Sequence, residues 1–87
     1  MRDTATDLRA LLDAVLDAID IPYPATIGDD NAYRAVLDRR LGLAVIAARA
    51  ALAEGPDSIS WNVGYLRRKL AEHPPTGYRA YQAGEGQ

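Results

Sequence analysis

Cysteine and phenylalanine are both absent from the 87 residues, and tryptophan, histidine, methionine and lysine occur once each. Without cysteine there are no disulfides and no thiolate metal sites, and the redox compartment is left undetermined. Without phenylalanine every aromatic residue, Trp61 and five tyrosines, carries a polar end that suits half-wet surfaces better than deep cores. The single histidine, His73, stands beside Pro74 and Pro75 at an expected helix end. There is no glycine-rich phosphate loop and no strand-borne nucleophile, so no catalytic constellation is marked. The expectation is a protein that is not an enzyme and takes no cofactor and no metal. The amino terminus lacks a basic region followed by an apolar core, so it does not read as a secretory signal. The longest apolar run, residues 41–53, is shorter than the roughly 20 residues a bilayer span needs and contains Arg49. A cytoplasmic protein with no membrane contact is expected.

Hydrophobic residues make up 48% and charged residues 25%, the proportions of a folded chain rather than a disordered one. The formal charge of −2 gives no global pull toward nucleic acid or anionic lipid. The charge is unevenly spread. Residues 1–30 carry two arginines against seven aspartates, net −5, whereas residues 31–87 carry eight bases against five acids, net +3. The acidic first segment is expected to lie against the basic later ones.

Periodicity predicts an all-α fold of three helices: a long central helix, a Pro-rich connector before it and an irregular aromatic C-terminal tail after the third helix. Residues 1–82 form one domain, and residues 83–87 are expected to be disordered. The first helix covers about 5–19, capped by Asp3, Thr4 or Thr6, with Leu8, Leu11, Leu12, Val15, Leu16 and Ile19 as its core stripe. Asp13, Asp17 and Asp20 share the opposite side; as a metal cage they lack a turn to wrap an ion, so solvation, or pairing with Arg39, Arg40 or Arg67, is expected. The connector, residues 21–28, is held extended by Pro22 and Pro24. The second helix starts near Asp29 or Asp30 and runs to Glu54, where Gly55-Pro56 stops it. The third begins at Asp57, Ser58 or Ser60, ends before His73, and buries Ile59, Val63, Leu66 and Leu70.

The second helix has one charge in residues 41–53 and two apolar stripes. The wider holds Tyr33, Leu37, Leu41, Ala44, Val45, Ala48, Ala51 and Leu52. The second holds Val36, Leu43, Ile46, Ala47 and Ala50. Two shorter helices cover one broad side of it. The second stripe is then either closed by the connector and tail or used for self-association in a homodimer. On the third helix, Trp61, Tyr65 and Arg68 share an outward face that can grip a protein partner, with a guanidinium over a ring. Tyr78 and Tyr81 can instead fold back and cover it, which is the preferred expectation. A further alternative is a helix-turn-helix-like DNA-binding regulator, in which Arg67, Arg68, Lys69 and Arg79 meet phosphates. The long turn at residues 55–58 and the acidic net charge speak against it. The function expected is therefore a small helical interaction or accessory module that self-associates as a homodimer through the second stripe of the central helix.

Two stretches, Ile21-Pro22-Tyr23-Pro24-Ala25-Thr26-Ile27-Gly28-Asp29 and residues 65–79 from Tyr65-Leu66-Arg67-Arg68-Lys69 to Gly77-Tyr78-Arg79, resemble segments of small uncharacterised actinobacterial proteins, some of them encoded near mobile genetic elements. The resemblance implies an accessory or regulatory role and assigns no site residue.

Overall fold

Asp3 opens the first helix. Its carboxylate accepts the backbone N–H of Ala5 at 3.0 Å and the Thr6 hydroxyl at 2.7 Å, so an otherwise orphan N–H of the first turn has a partner. In the computed structural model, which describes residues 3–82, this helix is α1 (Thr4–Ile19), followed by α2 (Asp30–Glu54) and α3 (Ile59–Ala71). Short 3-10 turns, Ile27–Asp29 and Pro56–Ser58, lead into α2 and α3. The expected disordered end, residues 83–87, lies outside the described residues. Gly55 ends α2 at φ +94°, a left-handed conformation that costs glycine little, while its N–H still bonds Ala51 O at 3.0 Å. Among the described residues no helix is long and apolar enough to cross a membrane.

What α1 and α2 contribute to the centre of the molecule is small side chains, packed on leucines of α3. Ala14 and Ala18 of α1, Ala44 and Ala47 of α2, and Leu66 and Leu70 of α3 form one buried cluster, with Val15, Leu43 and Val63 packed against it. Alanines at i and i+4 let the backbones approach closely, and the helices settle on that face. This rotates α1 away from the orientation its leucines suggest. Leu11 and Val15 are half-buried, but Leu8, Leu12, Leu16 and Ile19 stay exposed. The expected core stripe of α1 is thus only an edge of the core. In α3 the expectation holds: Ile59, Leu66 and Leu70 are buried and Val63 is half-buried.

One charged side chain joins the three helices. Arg40, only 6% exposed, donates from Nε to Ala18 O at 2.9 Å and from Nη2 to Asp17 O at 2.7 Å. Its Nη1 donates to His73 O at 2.6 Å and to Leu70 O at 3.4 Å. These carbonyls lie at the carboxyl ends of α1 and α3, where helices leave acceptors unpaired and where the dipole favours a cation. Burial pulls the Arg40 guanidinium below its ordinary range, opposed by the charge of Asp17. Arginine stays protonated through such a shift. Beside it, Asp17 forms an ion pair with Arg67 of α3. That pair supplies the basic neighbour expected for the acidic end of α1.

The connector and the tail clasp each other. Tyr81 N donates to Tyr23 O at 2.7 Å and Ala25 N to Arg79 O at 2.8 Å, flanking an antiparallel bridge between Pro24 and Ala80. Tyr78 donates its hydroxyl to Pro22 O at 2.5 Å. Tyr33 lies between Tyr23 and Tyr78, with ring centroids 6.2 and 5.5 Å away. The described residues extend 51 × 24 × 17 Å with a radius of gyration of 15.3 Å, against about 12 Å for a compact domain of this length.

Candidate functional site

Large apolar side chains that the core does not use gather on two helices. On α1, Leu8, Leu12, Leu16 and Ile19 recur at i, i+4, i+8 and i+11, a single stripe. On α2, Leu41, Val45 and Leu52 recur at i, i+4 and i+11. Leu12 is 68% exposed and Leu52 86%. The helical projection puts both stripes on the same side of the bundle. Asp17, on the other flank of α1, pairs with Arg67 of α3. Val36 and Arg39, on the other flank of α2, line a cleft of about 330 Å³ with Glu72 and His73 at the end of α3. The leucine stripes therefore face away from α3 and form one sheet of apolar surface two helices wide. Half-buried Leu37 and Ala48 continue it between them.

This arrangement corrects the expected self-association residues. Ala47 is 0% exposed in the shared core and so is not free for a partner, while Leu43 is half-buried with part of its side chain packed against that core. Val36 and Ala50 are half-buried, and of the five only Ile46 is exposed. The stripe assigned to outside contact is thus divided between the core and the surface, and Leu41, Val45 and Leu52 of the stripe assigned to the core are left outside. Small residues decided this: Ala44, Ala47 and Ala51 fit between helices, whereas Leu41, Val45 and Leu52 do not.

The aromatic face of α3 is open. Trp61 stacks on Tyr65 at 5.7 Å with 11° between the rings, and Trp61 is 63% exposed. Tyr78 and Tyr81 do not cover it, because the clasp holds the tail on the connector and Tyr78 packs on Tyr33. The preferred expectation of a covered Trp61 is overturned by those bonds. The cation over the ring is Lys69, 5.9 Å from the Tyr65 centroid, rather than the expected Arg68.

The basic residues proposed for DNA do not form one free surface. Arg67 is paired with Asp17, and Lys69 lies 3.8 Å from Glu72. Arg79 belongs to the clasp, where its N–H donates to Asp29 Oδ1 at 3.1 Å. Asp29 also accepts the Thr26 hydroxyl at 2.8 Å; these bonds, Thr26 first, hold its carboxyl below the ordinary 3.8. Among the described residues no three His, Cys, Asp or Glu side chains are grouped to hold a metal ion, so Asp13, Asp17 and Asp20 remain separate carboxylates.

Two features escaped the sequence reading. Nothing in the apolar period marks Arg40 as interior, and the only available sign was an arginine on the alanine face of α2. Asn62 is likewise buried, its amide donating to Ser58 O at 3.1 Å and Glu54 Oε1 at 3.3 Å. Compared with known protein families, curated proteins and solved structures, the chain matches none.

Proposed function

We propose that this chain is a non-enzymatic helical module that works by association, first with itself and through the assembled form with other proteins in an accessory role. The observation that carries the reading is the inversion of side-chain size on α1 and α2: their alanines enter the core against Leu66 and Leu70 of α3 while their leucines line the outside. A chain that needed only to fold alone gains nothing from that exchange, and contiguous apolar surface of this kind marks an interaction site.

The magnitudes fit a reversible dimer. The seven exposed side chains of the two stripes leave in water the equivalent of about four whole residues, each giving roughly 1.5–3 kcal/mol on burial. Two chains together gain on the order of 12–24 kcal/mol. Association costs about 4–15 kcal/mol, and the difference corresponds to dissociation constants around the micromolar range. Sedimentation equilibrium of the full chain across this range tests the reading. A dimer is expected, and a strict monomer up to about 100 µM, well above that range, refutes self-association.

A further inference from the structure

We infer that the occupant of the α1–α2 face is a second copy of this chain, turned antiparallel so that α1 packs on the partner's α1 and α2 on its α2. The inference rests on the self-association proposed above and adds its symmetry and register.

Four charges at the outer edges of the face determine the arrangement. Arg9 and Asp20 border the leucine stripe of α1, and Asp38 and Arg49 border that of α2; all four are exposed. None of them makes an ion pair among the described residues, whose ion pairs join Arg34 to Asp30, Arg67 to Asp17 and Lys69 to Glu72. A two-fold axis crossing the helices brings Arg9 opposite the partner's Asp20 when it passes between Ala14 and Val15. The same operation brings Asp38 opposite the partner's Arg49 when it passes between Leu43 and Ala44. These two midpoints lie at one level of the bundle. Ala14, Val15, Leu43 and Ala44 all meet in the central cluster, and Arg40 reaches the carbonyls of Asp17 and Ala18 about one turn further along. One axis therefore satisfies both pairs, and symmetry makes them four.

The apolar residues agree with the charges. About the same axis Leu12 falls beside the partner's Leu16, Leu8 beside its Ile19, and Leu41 beside its Val45. Their centres differ from that of the charged pairs by a residue or less, within about 1.5 Å along a helix. Packing antiparallel helices through such interleaved rows is the ordinary geometry of a four-helix layer. The alternative of setting α1 on the partner's α2 brings Arg9 to the level of Arg49 and Asp20 to that of Asp38, like against like. The charges thus complement themselves under the two-fold axis that crosses the helices and oppose the one that runs along them, which selects the first as the isologous interface.

The test uses Asp38→Arg and Arg49→Asp in the full chain, with helicity checked by circular dichroism. Each variant alone sets like charges opposite each other twice and should weaken its own dimer on the order of tenfold. Mixed together they should form a heterodimer close to wild-type affinity, because both cross-chain pairs become opposite in sign. A third variant, Leu12→Glu, should abolish association whatever the salt. If the mixture associates no better than the single variants while the wild type is dimeric and Leu12→Glu is not, the register is wrong and the self-association reading stands. If Leu12→Glu dimerises like the wild type, the face is wrong. A wild type that stays monomeric refutes both the register and the reading beneath it, and leaves a different protein as the occupant.

Discussion

Replacing Arg40 by methionine keeps the length of the side chain and removes the charge and every donor. Three acceptors lose their partner, the carbonyls of Asp17, Ala18 and His73, while Leu70 O loses the long Arg40 bond but keeps the N–H of His73 at 3.0 Å. Hydrogen bonds from a charged donor contribute about 1.5–3 kcal/mol each, and the longest of the four, 3.4 Å, adds least. Three good bonds thus stand for about 5–9 kcal/mol. Against that, a buried cation carries a desolvation cost of several kcal/mol, which methionine abolishes. The carbonyls of Asp17 and His73 are only partly buried and recover some of their loss by bonding water. The net expected loss is about 3 kcal/mol, between the two extremes. For a domain of this size that is a fall in Tm of about 12–24 °C. Arg40→Lys keeps the charge near the helix ends but not the fork, and should fall between the two. Thermal unfolding followed at 222 nm, at one fixed protein concentration, gives the order Arg, Lys, Met. An Arg40→Met chain as stable as the wild type would show that burial cost cancels the bonds, and would refute the assignment of Arg40 as the tie between the three helices.

Acid should open the clasp. The carboxyl of Asp29 is held below 3.8 in the fold, so its contribution is present above that value and is lost as pH falls through the lower, folded one. Near-ultraviolet dichroism of the tyrosines should therefore decline below about pH 4 in the wild type. Asp29→Asn should flatten this acid-dependent change. Trp61 should be quenched freely by acrylamide in the dimer as well as the monomer, since its face points away from the α1–α2 surface. Replacing Tyr81 by alanine should leave that quenching unaltered, and a marked rise in quenching would mean the tail covers Trp61 after all.

What the sequence disclosed was decided by how local each feature is. Caps and stops were legible because Asp3, Gly55 and the Pro74-Pro75 pair act on their own neighbours. The stripe of α3 was legible because it is the helix's one aliphatic stripe: the face opposite Ile59, Leu66 and Leu70 carries Trp61 and Tyr65, whose polar ends suit the surface. In α1 and α2 the apolar arc is wider than any one contact, and the choice of which part to bury depends on closeness of approach between helices. Alanine wins that choice although it is the weakest hydrophobe in the row. The clasp was half-legible, since two prolines indicate extended backbone but not its partner fifty residues away. The side of the molecule taken by Tyr78 was settled by Pro22 and Tyr33, neither of which signals it in the sequence.

The clasp also sets where the described residues, 3–82, begin and end. Because residues 79–82 return to the connector, the chain leaves the fold near the carboxyl end of α1, while residue 3 sits at that helix's other end. A label or fused domain at each terminus is thus carried toward opposite ends of a body 51 Å long. In an antiparallel pair the start of one chain comes alongside the finish of the other. Energy transfer between dyes at the two termini would then be weak within a chain and strong between chains, and any passenger domains would meet only across the dimer.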